Sequence, residues 1–517
     1  MIKRLLIANR GEIAIRIIRA CREMAIESVA VYSDADRSAA HVFAADRAVA
    51  IGPAPAAESY LSIPRILDAA KAVSADGIHP GYGFLAESSG FAAACENAGI
   101  VFVGPPSAVI ARMGSKIEAR RLMQSAGVPI VPGETPQDQS DAGIRRAIDS
   151  IGLPALVKAS AGGGGKGMRL VGRDVKDRKD RDVTAAIEAA RREAVAAFGD
   201  GTLYVERMID RPRHIEVQVF GDAHGTIVHL FERECSVQRR HQKIIEESPS
   251  PAVTAGLRDS ITSAAVRAAR AVGYRNAGTI EFLVEGAGDA ARFYFLEMNT
   301  RLQVEHPVTE QVTGLDLVRA QLTAASGASL NWTQYGIAQR GHAIEARVYA
   351  EDPGQGFVPQ AGPLLLYREP RWPGVRIDSG VAEGNEVSVH YDPLIAKVIA
   401  TGETRAIAVA RLAQALRTYP ILGIRTNIPF LLRVIGHPRF TDGSVDTSFL
   451  EGDGATLAAP SDADVPVFVR AALEQWQVER RQSKVESSSL RDASAVSQQP
   501  SAIPAWDPWT RVREWRP

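Results

Sequence analysis

Glu281 and Glu297 lie in two short apolar runs, residues 279–284 and 293–298, separated by the turn-like stretch 285–291. If the chain reverses near residue 289, the two carboxylates oppose each other on one face of a hairpin. Directly opposed like charges repel, so the pairing makes physical sense with a divalent cation between them. Asn299 keeps the same face and adds an amide oxygen. Such hard oxygen ligands suit Mg²⁺ or Mn²⁺ bridging to phosphate better than zinc. An exposed hairpin with two solvated glutamates is the alternative, and the hairpin alone favours it. Arg301, Gln303 and Glu305 then continue the alternation to His306-Pro307, adding a cation, an amide and a carboxylate in step. Three such residues directly after a metal candidate tip the balance toward a site.

A second cluster suits phosphate. Residues 156–160 and 168–171 read as strands of a hairpin, joined through Ala161, Gly162 to Gly165, Lys166 and Gly167. Consecutive glycines expose backbone N–H groups that can wrap a phosphate chain, and Lys158 and Lys166 flank them. A Walker A loop would need Ser or Thr after the lysine and a helix to open; Gly167 stands there instead. Further on, His214, Glu216 and Gln218 alternate with Ile215, Val217 and Val219. A half-exposed strand explains that pattern as well as a site does. The donor-dense stretch 232–243 is either an anion-binding segment or a solvated loop.

These residues need a scaffold. Residues 4–8, 28–32 and 100–103 read as strands, with helices at 13–24 and 63–73, a β-α-β rhythm that implies a mostly parallel sheet with ligands at its strand ends. The turn after the first strand, Asn9-Arg10-Gly11-Glu12, is not a dinucleotide fingerprint. In the loop Ile78-His79-Pro80-Gly81-Tyr82-Gly83-Phe84, a packed Tyr82 and a ligand-facing one are equally compatible with composition. Residues 341–349, 387–389 and 395–399 read as strands of a β-rich region, and 406–416 as a helix. Glu345 and Arg347 share a strand face, where a surface ion pair is the plain reading.

Composition excludes several classes. At 517 residues the chain has room for about three domains. Lys plus Arg equals Asp plus Glu at 60 each, which argues against a nucleic-acid or acidic-membrane partner. No apolar run approaches the roughly 18 residues of a spanning helix, and Leu5-Leu6-Ile7-Ala8 is too short for a signal core. Cys21, Cys95 and Cys235 are far apart and odd in number, fitting a reducing, cytoplasmic setting rather than a disulfide or zinc framework. Ten lysines among the 60 cations leave 50 arginines, so each lysine in a glycine-rich or charged cluster is conspicuous. The tail after Leu450 carries Trp476, Trp506, Trp509 and Trp515 and is expected to dock on this chain or a partner.

Taken together, Ile7-Ala8-Asn9-Arg10-Gly11-Glu12-Ile13-Ala14, His79 to Leu85, Lys158-Ala159-Ser160 with its glycine loop, Gln238-Arg239-Arg240-His241-Gln242-Lys243, Glu297-Met298-Asn299-Thr300-Arg301 and Gln303 to Glu310 closely resemble the biotin carboxylase component of biotin-dependent carboxylases, an ATP-grasp enzyme. The resemblance covers residues 1–450 and implies an α/β fold. Its parts would be a Rossmann-like parallel-sheet domain (1–114), an ATP-grasp domain (115–330) with a mobile glycine-rich lid at about 130–205, a β-rich C-terminal domain (336–450) and a tail (451–517).

The resemblance implies that ATP phosphorylates bicarbonate to carboxyphosphate and that the carboxyl group passes to N1′ of biotin. Nucleotide positions would be Lys116, Lys158, Gly164, Gly165, Glu206, His214, Gln238, His241 and Leu283, with Glu281 and Glu297. Two Mg²⁺ or Mn²⁺ ions would be held by Glu281, Glu297 and Asn299. Lys243, Arg301, Gln303 and the Val304 backbone would cradle bicarbonate, Glu305 would deprotonate it, Arg347 would stabilise the biotin enolate and Tyr82 would lie near biotin. Ala161 departs from the glycine many members carry. No lysine lies between two methionines, so biotin would sit on a carrier protein on another chain. A carboxyltransferase subunit and a homodimer or larger complex are implied likewise. Residues 344–358 and 375–389 lean toward α-subunits acting on larger acyl-CoAs. A carbamoyl-phosphate synthetase-like ligase should lack the 301–305 cradle and Arg347, and a silent scaffold should show a damaged catalytic set.

Overall fold

The computed structural model describes residues 1–160, 167–172 and 180–459. Gly164, Gly165, Lys166 and the tryptophan-bearing tail lie outside the described residues. The fold is mixed α/β. In the first sheet β1 (Arg4–Ile7), β2 (Glu27–Tyr32), β3 (Arg47–Ala50), β4 (Gly77–His79) and β5 (Val101–Phe102) follow the order β3-β2-β1-β4-β5, every pair parallel. Strand order reverses at β1, and the crevice beyond the carboxyl ends of β1 and β4 is where such sheets bind ligands. Asn9 fixes that crevice: its amide donates to the carbonyls of Pro80 (2.7 Å) and Tyr82 (2.7 Å).

A four-stranded antiparallel sheet, β6 (Gly133–Glu134), β7 (Ala155–Ala159), β8 (Arg169–Val171) and β9 (Leu203–Arg207), runs in the order β6-β9-β7-β8. The hairpin expected around the glycine loop is β7–β8, with Leu156 opposite Leu170.

The third sheet carries most of the chemistry. It comprises β10 (Arg213–Gly221), β11 (Ile227–Arg239), β12 (Gln242–Ser248), β13 (Asn276–Glu285), β14 (Arg292–Asn299), β15 (His342–Tyr349) and the strands Leu394–Gly402 and Val375–Ser379. Their order is β14-β13-β10-β11-β12-β15 followed by Leu394–Gly402 and Val375–Ser379, all antiparallel. The sheet thus passes without a break from the stretch before residue 330 to the stretch after it. One face of β10 and β13 (Ile215, Val217, Val219, Ile280, Phe282) packs on the alanine-rich face of the helix Ala255–Val272. Thr254 caps that helix by accepting from the Leu257 N–H, and Gly273 ends it at φ 66°.

Four expectations change here. The run 232–243 is neither anion loop nor solvated loop but strand, two-residue turn and strand, because β11 and β12 pair across Arg240-His241. Both turn residues have positive φ (50° and 67°), as a turn matching strand twist requires. β10 is not half-exposed, since its charged face is enclosed too. The alternation at 301–305 is not a strand: β14 stops at Asn299, and Glu305 is the N-cap of the helix His306–Thr313. Of residues 387–389 only Val387 is in a strand, while Val389 is exposed.

Gly278 in β13 lies against Tyr274, whose hydroxyl donates to the Ala277 carbonyl (2.9 Å); a Cβ at 278 would collide with the Tyr274 ring. Gly278→Ala should therefore overpack this contact and lower stability by about 2 kcal/mol, measured by denaturant unfolding of purified protein.

Candidate active site

Glu281 of β13 and Glu297 of β14 are direct register partners, and Thr279 pairs with Asn299, as the hairpin argument requires. A bulge follows Glu281. The two carboxylates live in different surroundings. Glu281 is buried and well neutralised: Oε1 accepts from Lys243 (2.8 Å), Asn299 (2.8 Å) and Gln303 (3.3 Å), and Oε2 faces His214 Nε2 at 2.9 Å. Burial would raise its pKa, but Lys243 and His214 hold it far below the usual range. Glu297 makes no hydrogen bond or ion pair among the described residues. Burial raises its pKa, the facing Glu281 raises it further, and Lys116 offsets only part of this. An unpaired carboxylate opposite a second carboxylate and beside an amide oxygen is a donor set suited to a hard divalent cation.

The floor of the site is a net of buried charge. The Lys243 ammonium meets Glu216 (2.5 Å), Glu281 (2.8 Å) and Glu305 (2.7 Å). Although burial disfavours its charge, these carboxylates keep its pKa well above the ordinary lysine value. Arg233, fully buried, donates to Glu216 (2.5 Å), Gln218 (2.8 Å), Thr309 (2.9 Å) and Thr279 (3.1 Å). His214, Glu216 and Glu281 also bring ligand atoms within 4.8 Å of one another, but Arg233 and Lys243 already saturate that cluster. Burial lowers the His214 pKa and Glu281 more than reverses it, leaving it raised.

Glu305 is fully buried between two cations, Lys243 on Oε1 and Arg347 (2.9 Å) on Oε2. Burial raises its pKa, but Lys243 and Arg347 bring it well below the usual range. The expected surface pair of Glu345 with Arg347 is absent: both are buried, and Arg347 turns to Glu246 (2.5 Å) and Glu305 instead. Arg301 donates through Nε to Glu87 (2.9 Å) and through Nη1 to Gln303 Oε1 (2.8 Å). Lys158 pairs with Glu206 at 2.5 Å, and Arg120 braces the other Glu206 oxygen. Burial lowers the Lys116 pKa, partly opposed by Glu297.

One cavity of about 1090 Å³ gathers these groups. Lys116, Lys158, Glu206, His214, Gln238, His241 and Leu283 line one part, Glu281, Glu297 and Asn299 another. Lys243, Arg301, Gln303, Val304, Arg347 and Tyr82 complete the wall. Glu305 is behind the wall, beneath Lys243 and Arg347. Sequence reasoning missed Arg233, Glu87, Glu246 and Lys397. Lys397 is wholly buried, donates to the Val304 carbonyl (2.9 Å) and pairs with Glu12 (3.1 Å). A lone lysine inside Ile395-Ala396-Lys397-Val398-Ile399 was the available signal.

This fold and site match known families. Residues 1–110 match the model for the biotin carboxylase N-terminal domain and 345–452 that for its C-terminal domain. Residues 115–333 match the ATP-binding domain of the carbamoyl-phosphate synthase L chain. The chain is 51% identical to biotin carboxylase 2 of Bacillus subtilis, over 87% of this chain and 99% of that protein. It is 51% identical to the mitochondrial methylcrotonoyl-CoA carboxylase subunit alpha of Mus musculus, over 87% of this chain but only 62% of that subunit, so it spans about three-fifths of such relatives. The biotin carboxylase domain dimer of Hydrogenobacter thermophilus 2-oxoglutarate carboxylase, solved with MgADP, ADP and bicarbonate, superposes with a TM-score of 0.84 at 43% identity, covering 89% of this chain and all of that one. The chain thus carries an ATP-grasp domain between the two biotin carboxylase domains. It belongs to the biotin carboxylase family.

Arg233 tests the buried net. Arg233→Met leaves Glu216 with Lys243 alone and removes the donor to Gln218, Thr279 and Thr309; it should cost about 4 kcal/mol of unfolding free energy, read from denaturant titration.

Proposed function

We propose that the chain carries out ATP-dependent carboxylation of biotin on a separate carrier protein, with bicarbonate as carbon source and carboxyphosphate as intermediate. The observation that carries this is Glu305 held between Lys243 and Arg347 directly behind Arg301 and Gln303: a carboxylate base beside an anion cradle. Lys116 and Lys158 would face the phosphates, with His214, Gln238, His241 and Leu283 around the rest of the nucleotide and Glu206 anchoring Lys158. Glu281, Glu297 and Asn299 would hold Mg²⁺ or Mn²⁺, which neutralises phosphate charge when bound.

Bicarbonate must be held as an anion and still lose its proton. With both cations on it Glu305 is a weak base. An incoming anion competes for Lys243 and Arg301, and as Lys243 shifts toward it the hold on Glu305 loosens and its basicity rises. The proton then passes from bicarbonate to Glu305, and the freed oxygen attacks the γ-phosphorus as the bond to the β–γ bridging oxygen breaks, giving carboxyphosphate and ADP. Positioning and charge neutralisation supply most of the acceleration in such a transfer. Arg347 would meet the biotin ureido oxygen, with Tyr82 nearby, and the glycine run including Gly164 and Gly165 would exclude water from carboxyphosphate.

In this reading the stretches 1–114, 115–330 and 336–450 together build the cavity, and the lid at about 130–205 is the part that closes over substrate. A carrier protein and a carboxyltransferase on other chains would complete an acyl-CoA carboxylase of acetyl, propionyl or methylcrotonyl type; relatives named as methylcrotonoyl-CoA carboxylase subunits support the last. Homodimerisation is supported by the Hydrogenobacter thermophilus dimer. Among the described residues no helix is long and apolar enough to cross a membrane. Three buried free thiols, Cys21, Cys95 and Cys235, support a reducing compartment, which we take to be the cytoplasm.

Phosphate release from ATP should require bicarbonate and rise with free biotin. Glu305→Gln should abolish that release while ATP affinity, measured by calorimetry, stays within about twofold of wild type, since Glu305 touches none of the nucleotide-facing groups. A collapse of ATP affinity in this variant would remove the base from Glu305.

A further inference from the structure

Two buried carboxyl groups have no task in that scheme. Glu246 on β12 and Glu345 on β15 are direct register partners, and both are fully buried. Opposed residues of an antiparallel pair share a sheet face, and this face also carries Arg347 and, opposite it, Lys397. Arg347 reaches Glu246 at 2.5 Å and Glu305 at 2.9 Å. Lys397 is committed to Glu12 and the Val304 carbonyl. Neither Glu345 oxygen has a hydrogen-bond partner among the described residues, nor have the Glu246 oxygens, whose contact with Arg347 is an ion pair only.

A buried ionised carboxylate with neither donor nor counter-ion is far costlier than a neutral acid. Two of them in register would also repel. We propose that Glu345 is a neutral carboxylic acid that donates its proton in a hydrogen bond to the Glu246 carboxylate, and so positions Arg347 for substrate. The inference rests on the biotin carboxylase reading, in which Arg347 meets the substrate. Glu345 is a positioning residue: it touches no substrate and acts through Glu246. Glu246 is then fixed from both sides, by the acid and by the guanidinium, and Arg347 is held by Glu246 and Glu305 along the cavity wall.

The local charges agree. Burial drives the Glu345 pKa well above the carboxylate range; Lys397 opposes this, Glu246 adds to it, Arg347 lowers it and Glu305 raises it. Burial also lifts Glu246 to about 7, with Arg347 and Lys243 pulling down and Glu305 pushing up. Activity that needs an ionised Glu246 therefore falls on the acid side of neutrality.

Glutamine has the size of a protonated glutamate and keeps a donor. In the full chain, E345Q should keep bicarbonate- and biotin-dependent turnover within about twofold of wild type, with the same pH profile. E345A leaves Glu246 held by Arg347 alone, so kcat should fall about tenfold or more with KM for ATP unchanged, and the acid limb should move to higher pH. The infrared difference spectrum of wild type minus E345Q should contain the carbonyl band of a protonated carboxylic acid. A carboxylate band in its place, an E345Q variant that is as impaired as E345A or does not fold, or an E345A variant with wild-type kcat and pH profile would each overturn the proposal. If wild type itself lacks bicarbonate-dependent turnover, the functional reading fails, and the infrared spectrum still decides the state of Glu345.

Discussion

Everything at the cavity floor depends on one ammonium group shared among three carboxylates. Lys243 stands within hydrogen-bonding distance of Glu216, Glu281 and Glu305; the three carboxylates are buried, and the ammonium keeps only a small exposure at the cavity wall. Charges so placed are tolerated only when paired and hydrogen-bonded. The surrounding structure supplies that pairing: Arg233 on the far oxygen of Glu216, His214 on that of Glu281, Arg347 on that of Glu305. The polar face of β10 is therefore enclosed as well as its apolar face, and β15, pairing with β12 beyond residue 330, brings Arg347 beside Glu305.

On the proposed reading, this arrangement would let a site rich in carboxylates receive anions. Lys243 is neutralised internally, yet each of its partners keeps a second cation or donor. It can move toward bicarbonate or phosphate without stranding a bare carboxylate. In the proposed reaction Glu305 would then exchange a strong hold for a weaker one, which a base needs at the moment of proton transfer. The loop holding Val304 is pinned meanwhile by Lys397, and Asn9 ties the Tyr82 loop to the end of β1.

Local pattern was enough for much of this. The Glu281–Glu297 register followed from a hairpin centred near residue 289, and the parallel first sheet from its β-α-β rhythm. The resemblance carried the cavity-lining set residue by residue. Long-range burial was not readable. Arg233 and Lys397 look like ordinary cations in sequence, and only pairing across β10, β11 and the helix His306–Thr313 makes Arg233 the centre of a net. Glu345 with Arg347 matched a surface pair because alternation says which face residues share, not whether that face is covered. The step of Arg301, Gln303 and Glu305 suggested a continuing strand, but these residues lie instead in a turn that leads into a helix N-terminus.

Glu297 is where the charge balance of this sheet face stays open: its carboxylate faces Glu281, is only partly offset by Lys116, and has no ion pair among the described residues. A divalent ion carried in with nucleotide would close it. Titrating Mn²⁺ into the chain with saturating ADP, followed by electron paramagnetic resonance, tests this most directly. Wild type should bind the ion, and Glu297→Gln should weaken binding by about tenfold or more while ADP binds alone as before. Equal Mn²⁺ affinity in the two proteins would contradict it.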